Sequence, residues 1–163
     1  GSQPLAVVVY NKELDVWTPG AHAGTFRGNQ LVMKTGTIVL NRVSNPEFLA
    51  DVVRKGDLIR EKLNDLKKRV SIIGDIRGIG LMVGTEFVDP KAQKDCIGSL
   101  PASGEIAGKV QKICLSNGLI VEKGGRNGSV MRCLCALNIT YEDLSKAWAI
   151  FEKCVLEVDK EYK

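Results

Sequence analysis

Six consecutive residues near the start, Leu5-Ala6-Val7-Val8-Val9-Tyr10, are apolar and rich in β-branched side chains. Such a run has no polar side. It predicts a strand buried on both faces, as in a parallel sheet covered by helices. No comparable run follows nearby, so the chain is expected to start inside a sheet larger than these residues can build.

The rest of the chain is patterned for a smaller layer. A loop through Thr18-Pro19-Gly20 leads to a helix predicted from about Asn29 to about Val43. Asn45 suits an N-cap, with Pro46 at the first helical position, where a missing N–H costs nothing. Apolar residues at Phe48, Leu49, Val52, Val53, Ile59, Leu63, Leu66 and Val70 then stripe one side of a long helix. Residues 76–88 read as one strand. Ile79, Leu81, Val83 and Phe87 face a core, and Gly78, Gly80 and Gly84 lie opposite, where a helix or backbone can come close. Residues 89–102 read as a surface excursion. Ser103 caps a helix that Asn117-Gly118 ends. Residues 119–122 and 130–137 predict two more strands around a glycine-rich turn. Thr140 with Asp143 resembles a capping box before a last helix carrying Leu144, Ala147, Trp148, Phe151 and Val155. From residue 71 the order β-α-β-β-α predicts a small α+β domain with helices on one face of a largely antiparallel sheet.

Composition narrows the classes. Hydrophobic residues make up 44% and charged residues 26% of 163, as in ordinary globular proteins. No stretch is long and apolar enough for a membrane span, and no secretion signal is visible. The net charge of +4 is scattered, and no aromatic residues interleave with basic ones, so neither nucleic acid nor membrane is an expected partner. Five cysteines without a secretion signal suggest reduced thiols in the cytoplasm. Cys133-x-Cys135 has no second pair at zinc spacing, so buried inert cysteines are the plainer reading.

Three places invite a chemical reading. Gly24-Thr25-Phe26-Arg27-Gly28-Asn29-Gln30 puts a hydroxyl, an arginine, a glycine and an amide directly before a helix. Unpaired N–H groups and a partial positive charge at a helix start suit an anion, phosphate above all. An ordinary capped turn is the plainer alternative. Arg132 sits among apolar strand residues and needs a carboxylate, either a substrate's or a structural partner's. Arg77 invites the same two readings, with the structural one stronger. His22, the single histidine, is read as a hydrogen-bonded loop residue, since no nucleophile or carboxylate is placed to work with it. Gly78-x-Gly80-x-x-x-Gly84 is one residue too long for a dinucleotide fingerprint and lies within a strand.

Taken together, Pro4-Leu5-Ala6-Val7-Val8-Val9-Tyr10, His22-Ala23-Gly24-Thr25-Phe26-Arg27-Gly28-Asn29-Gln30, Ile76-Arg77-Gly78-Ile79-Gly80-Leu81-Met82-Val83-Gly84-Thr85-Glu86, Gly118-Leu119-Ile120 and Met131-Arg132 resemble class III aminotransferases of pyridoxal-phosphate fold type I. The order and spacing match along nearly the whole chain. The Thr-Phe-Arg-Gly-Asn-Gln form is most similar to diaminobutyrate–2-oxoglutarate aminotransferases.

The resemblance implies a cytoplasmic homodimer that uses pyridoxal 5'-phosphate to transfer an amino group from an amino acid to a 2-oxo acid. Thr25, with Gly24 and Phe26, would hold the cofactor phosphate in the neighbouring subunit's site. Arg132 would bind the substrate α-carboxylate. Residues 1–44 would belong to the large domain, 45–70 to a linking helix and 71–163 to the small domain. The family's cofactor-anchoring lysine falls a few residues before the segment matching Pro4, with Gly1-Ser2 matching part of a Gly-Gly-Ser. These residues alone are therefore expected to be inactive. A second departure is Cys135-Ala136 in place of the family's Pro-Pro, which is expected to loosen Arg132. Other ω-aminotransferases, acting on ornithine, 4-aminobutyrate or an ectoine precursor, share the pattern. A non-catalytic domain for dimer contacts or ligand binding is the reading from a different class.

Overall fold

A computed structural model describes residues 3–163; Gly1 and Ser2, and with them the Gly-Ser match, lie outside the described residues. The chain divides into two compact units, Gly1–Leu49 and Ala50–Lys163.

In the first unit residues 5–10 form no strand, and Val7, Val8 and Val9 are exposed. This corrects the expectation of a doubly buried strand. A strand exists only when a neighbour takes up its N–H and C=O groups, and no described segment pairs with this one. Leu5 instead packs on helix α1 (Gln30–Val43), where a Cβ on Gly36 would lie 2.2 Å from Leu5 Cδ2. The loop after it is braced by aromatic side chains. Trp17 Nε1 donates to the Tyr10 hydroxyl at 3.1 Å, and its ring stacks on His22. His22 is exposed and its ring also bonds the Arg27 guanidinium, so it is the hydrogen-bonded loop residue that its sequence context suggests.

Helix α2 (Pro46–Lys67) starts where Asn45 Oδ1 accepts from the Glu47 and Phe48 amides, at 2.8 and 3.1 Å. Its stripe is narrower than the sequence suggests. Val52, Ile59, Leu63 and Leu66 are buried, whereas Leu49 and Val53 are exposed and Val70 lies beyond the helix end.

The second unit contains strands β1 (Ile73–Ile79), β2 (Met82–Phe87), β3 (Glu122–Gly124) and β4 (Val130–Leu134). They form one antiparallel sheet in the order β1-β2-β4-β3. Helices α3 (Gly104–Ser116) and α4 (Tyr141–Asp159) pack together, and α3 also packs on β2, β3 and β4. The core joins Leu66, Ile72, Val83 and Phe87 to Ile106, Val110, Val155 and Val158, all almost fully buried. Each such side chain contributes about 1.5–3 kcal/mol on leaving water.

Two strand expectations are corrected. Residues 76–88 are not one strand but a hairpin that turns at Gly80, whose φ is +52°, and Leu81. Ile79 pairs with Met82, so both point to the same face, and both are exposed. Leu81, Val83 and Phe87 are buried as expected, but Ile79 is not. The bare side of the turn does admit a helix: a Cβ on Gly56 of α2 would lie 2.1 Å from the Gly80 carbonyl oxygen. The second correction is length. β3 and β4 pair only over residues 122–124 and 130–132, and residues 119–121 and 135–137 lie outside the ladder.

Candidate functional site

Residues 24–28 form an exposed turn closed by the Arg27 N–H, which donates to the Gly24 carbonyl at 3.1 Å. Gly28, at φ +72°, redirects the chain into α1 in a conformation that strains other residues. Asn29 caps α1, its side chain accepting from the Val32 amide at 3.1 Å and its carbonyl from the Met33 amide at 3.0 Å. The Gln30 and Leu31 amides have no acceptor among the described residues. Thr25 is exposed, and its hydroxyl makes no hydrogen bond among the described residues. Phe26 is 91% exposed. The turn and the Pro4-Leu5 segment border an open hollow of about 540 Å³. Arg27 is turned away from this role, since its guanidinium bonds the His22 carbonyl and ring. The turn therefore offers an anion a hydroxyl, two amides and the positive end of a 14-residue helix.

Arg132 stands in the second unit, in a row that crosses all four strands. Arg77 on β1 is opposite Gly84 on β2, Gly84 is opposite Arg132 on β4, and Arg132 is opposite Glu122 on β3. The two arginines differ in satisfaction. Arg77 bonds Asp75 at 2.8 Å and Glu86 at 2.6 Å, and these two carboxylates, Asp75 foremost, raise its pKa further. Its role is the structural ion pair. Arg132 has one carboxylate, Glu122, and its Nε is buried without a hydrogen-bond partner among the described residues. The pair is about half exposed, and ion pairs of that kind are worth roughly 0–1 kcal/mol, so an incoming carboxylate can displace Glu122.

Glu122 went unassigned in the sequence. Glu122 and Arg132 are equidistant from Asn127, the tip of the β3–β4 connection, whose φ is +56°, but that symmetry shows only once the strand register is known. Gly24, Thr25 and Phe26 lie in one unit and Arg132 in the other. Among the described residues no group of three or more His, Cys, Asp or Glu is placed to hold a metal. No described helix is long and apolar enough to cross a membrane. Cys114 and Cys154 are buried together, and burial pushes the Cys114 thiol up to about 12.

The family model for aminotransferase class-III matches residues 1–155. The chain belongs to the class III aminotransferase family. It is 40% identical over 160 residues to a diaminobutyrate–2-oxoglutarate aminotransferase of Haemophilus influenzae, covering 98% of this chain and 35% of that protein. It is 42% identical over 146 residues to the Rhizobium meliloti protein of the same name, covering 90% and 31%. The chain thus spans about a third of the length of these relatives. Among solved structures, the ornithine aminotransferase of Toxoplasma gondii superposes with a TM-score of 0.71 at 26% identity, covering 90% of this chain and 32% of that one. The small sheet flanked by helices is thus the fold type I architecture. Membership implies a pyridoxal-phosphate cofactor. The residues present fit its phosphate end, because Thr25 is exposed with its hydroxyl unbonded among the described residues and the first amides of α1 lack acceptors there.

Proposed function

We propose that the protein carrying these residues transfers the terminal amino group of L-2,4-diaminobutyrate to 2-oxoglutarate, giving aspartate semialdehyde and glutamate, or runs the reverse. The observation that carries this reading is the 40% identity, along nearly the whole chain, to a protein of that name. Residues 1–44 then belong to the large domain, 45–70 link it to the rest, and 71–163 form the small domain. The cofactor, when bound, supplies an electron sink.

This chain's own residues bind and orient. The Thr25 hydroxyl donates to a phosphate oxygen, with Gly24 allowing close backbone approach and the α1 start adding charge complementarity. Phe26, fully in solvent here, packs beside the same group. In a homodimer this turn serves the partner subunit's site. Arg132 releases Glu122 and takes the carboxylate of the amino acid or the 2-oxo acid, fixing which end of the substrate faces the reacting centre.

A second reading, an ornithine-type ω-aminotransferase, is favoured by the Toxoplasma gondii superposition. Glutamate formation by the complete gene product, with 2-oxoglutarate as acceptor, separates the two. The expected order of kcat/KM puts diaminobutyrate above ornithine and 4-aminobutyrate. A higher value for ornithine overturns the first reading.

A further inference from the structure

We propose that Cys133 and Cys135 form a thiol–disulfide site that a low-molecular-weight disulfide oxidises to an internal Cys133–Cys135 disulfide. The two sulphurs lie 3.9 Å apart. Both thiols border a largely apolar cavity of about 370 Å³ between α2, α4 and the sheet, lined also by Ile59, Leu63, Trp148 and Phe151. A cavity of this size admits a small molecule, and both cysteines are partly accessible. Cys114 and Cys154, by contrast, are buried, and Cys96 is exposed in a loop far along the chain from any other cysteine.

The two cysteines take different roles. Cys133 is the penultimate residue of β4, paired with Val83, and its burial pushes the thiol up to about 11. It is fixed by the ladder, whereas Cys135, just past the strand, is not, so Cys135 attacks first. The Cys135 thiolate displaces one half of the small disulfide as a thiolate and forms a mixed disulfide. Cys133 then loses its proton to solvent and attacks the Cys135 sulphur, expelling the second half. The balance is two protein thiols plus one small disulfide giving one protein disulfide and two small thiols.

Closure has a structural consequence. An S–S bond of about 2.05 Å needs Cα atoms usually 4.4–6.8 Å apart. Two residues of extended chain span up to roughly 6.6–7.2 Å. The end of β4 must therefore pucker, and the ladder pair that gives way is Leu134 with Met82. Cys135 lies outside the ladder already, so one pair is the whole loss. This thiol chemistry stands independently of the role given to Arg132.

The experiment uses the chain with Cys96→Ser, to remove the exposed thiol, treated with oxidised glutathione. Intact mass and unreduced peptide mapping are read together, after circular dichroism shows the fold unchanged. The expected product has lost two hydrogens, with the link inside the tryptic peptide that follows Arg132. Adding Cys133→Ser, or Cys133→Ala if serine unfolds the chain, should stop the reaction at a glutathione adduct on Cys135. Amide exchange at Leu134 should rise in the oxidised form. A lasting adduct on Cys135 while Cys133 is present overturns the proposal. So does no reaction at either residue, or a link to Cys114 or Cys154.

Discussion

Two helical glycines show how one methyl group can act with opposite sign. Alanine in a helix interior is favoured over glycine by about 1 kcal/mol. Gly108 of α3 can take that gain, because a Cβ there meets only the flexible end of Lys123, at 3.4 Å. Gly56 of α2 cannot, because its Cβ would strike the Gly80 backbone at 2.1 Å. Urea unfolding should show Gly108→Ala stabilised by about 0.5–1 kcal/mol and Gly56→Ala destabilised by roughly 1–3 kcal/mol. Asp159 is a carboxylate with no exposed surface. Burial by itself raises its pKa, but the Ser71 amide at 2.6 Å, the Ser71 hydroxyl at 2.9 Å and Lys163 at 3.0 Å outweigh it and hold the carboxyl below its usual range. A depressed folded pKa gives stability that is present above the unfolded value, near about pH 4, and lost as pH falls through the folded one. The unfolding midpoint of wild type should therefore exceed that of Asp159→Asn at pH 7, and the gap should narrow in acid. A gap that stays constant with pH would assign the effect to packing instead.

Helices and strands were unequally legible. Asn29, Ser103 and Thr140 each cap a helix start with a side chain that accepts from an amide three residues on, and Asn45 caps α2 in the same way. Such bonds are local, so they are readable from the sequence. Replacing Asn45 by Ala should cost about 1 kcal/mol in thermal unfolding, and by Asp close to nothing. At Thr140 the capping box has a different second bond: the hydroxyl donates to Asp143 Oδ2 at 2.8 Å rather than the carboxylate reaching back to the Thr140 amide. Asp is one methylene too short for that reach. The β1–β2 hairpin was not legible. A two-residue turn reverses the parity of the strand, so odd residues of β1 share a face with even residues of β2. Reading residues 76–88 as one strand keeps the parity and sends Ile79 inward, whereas the turn leaves it 79% exposed.

For the molecule as a whole, the proposed activity divides into two separable tasks. In the complete gene product, Thr25→Val should weaken cofactor binding by about 1.5–3 kcal/mol, roughly tenfold or more, and leave KM for 2-oxoglutarate nearly unchanged. Cofactor titration by absorbance reads the first quantity and initial rates the second. Arg132→Lys should do the reverse, raising KM for the 2-oxo acid at least roughly tenfold because a single ammonium cannot replace the guanidinium fork. Equal loss of both quantities in either variant would refute the division. Residues 24–30 and Arg132 were visible in the sequence because a helix start and a charge in an apolar strand are local patterns. Helix ends, the buried side of α4 and the α+β class likewise followed from bonds within about four residues and from periodicity. Three features came only from the tertiary structure: the exposure of Val7, Val8 and Val9, the pairing of Glu122 with Arg132, and the closeness of Gly56 to Gly80. Each depends on which distant segment takes up a strand's hydrogen bonds or a side chain's space, and no spacing along the chain encodes that neighbour.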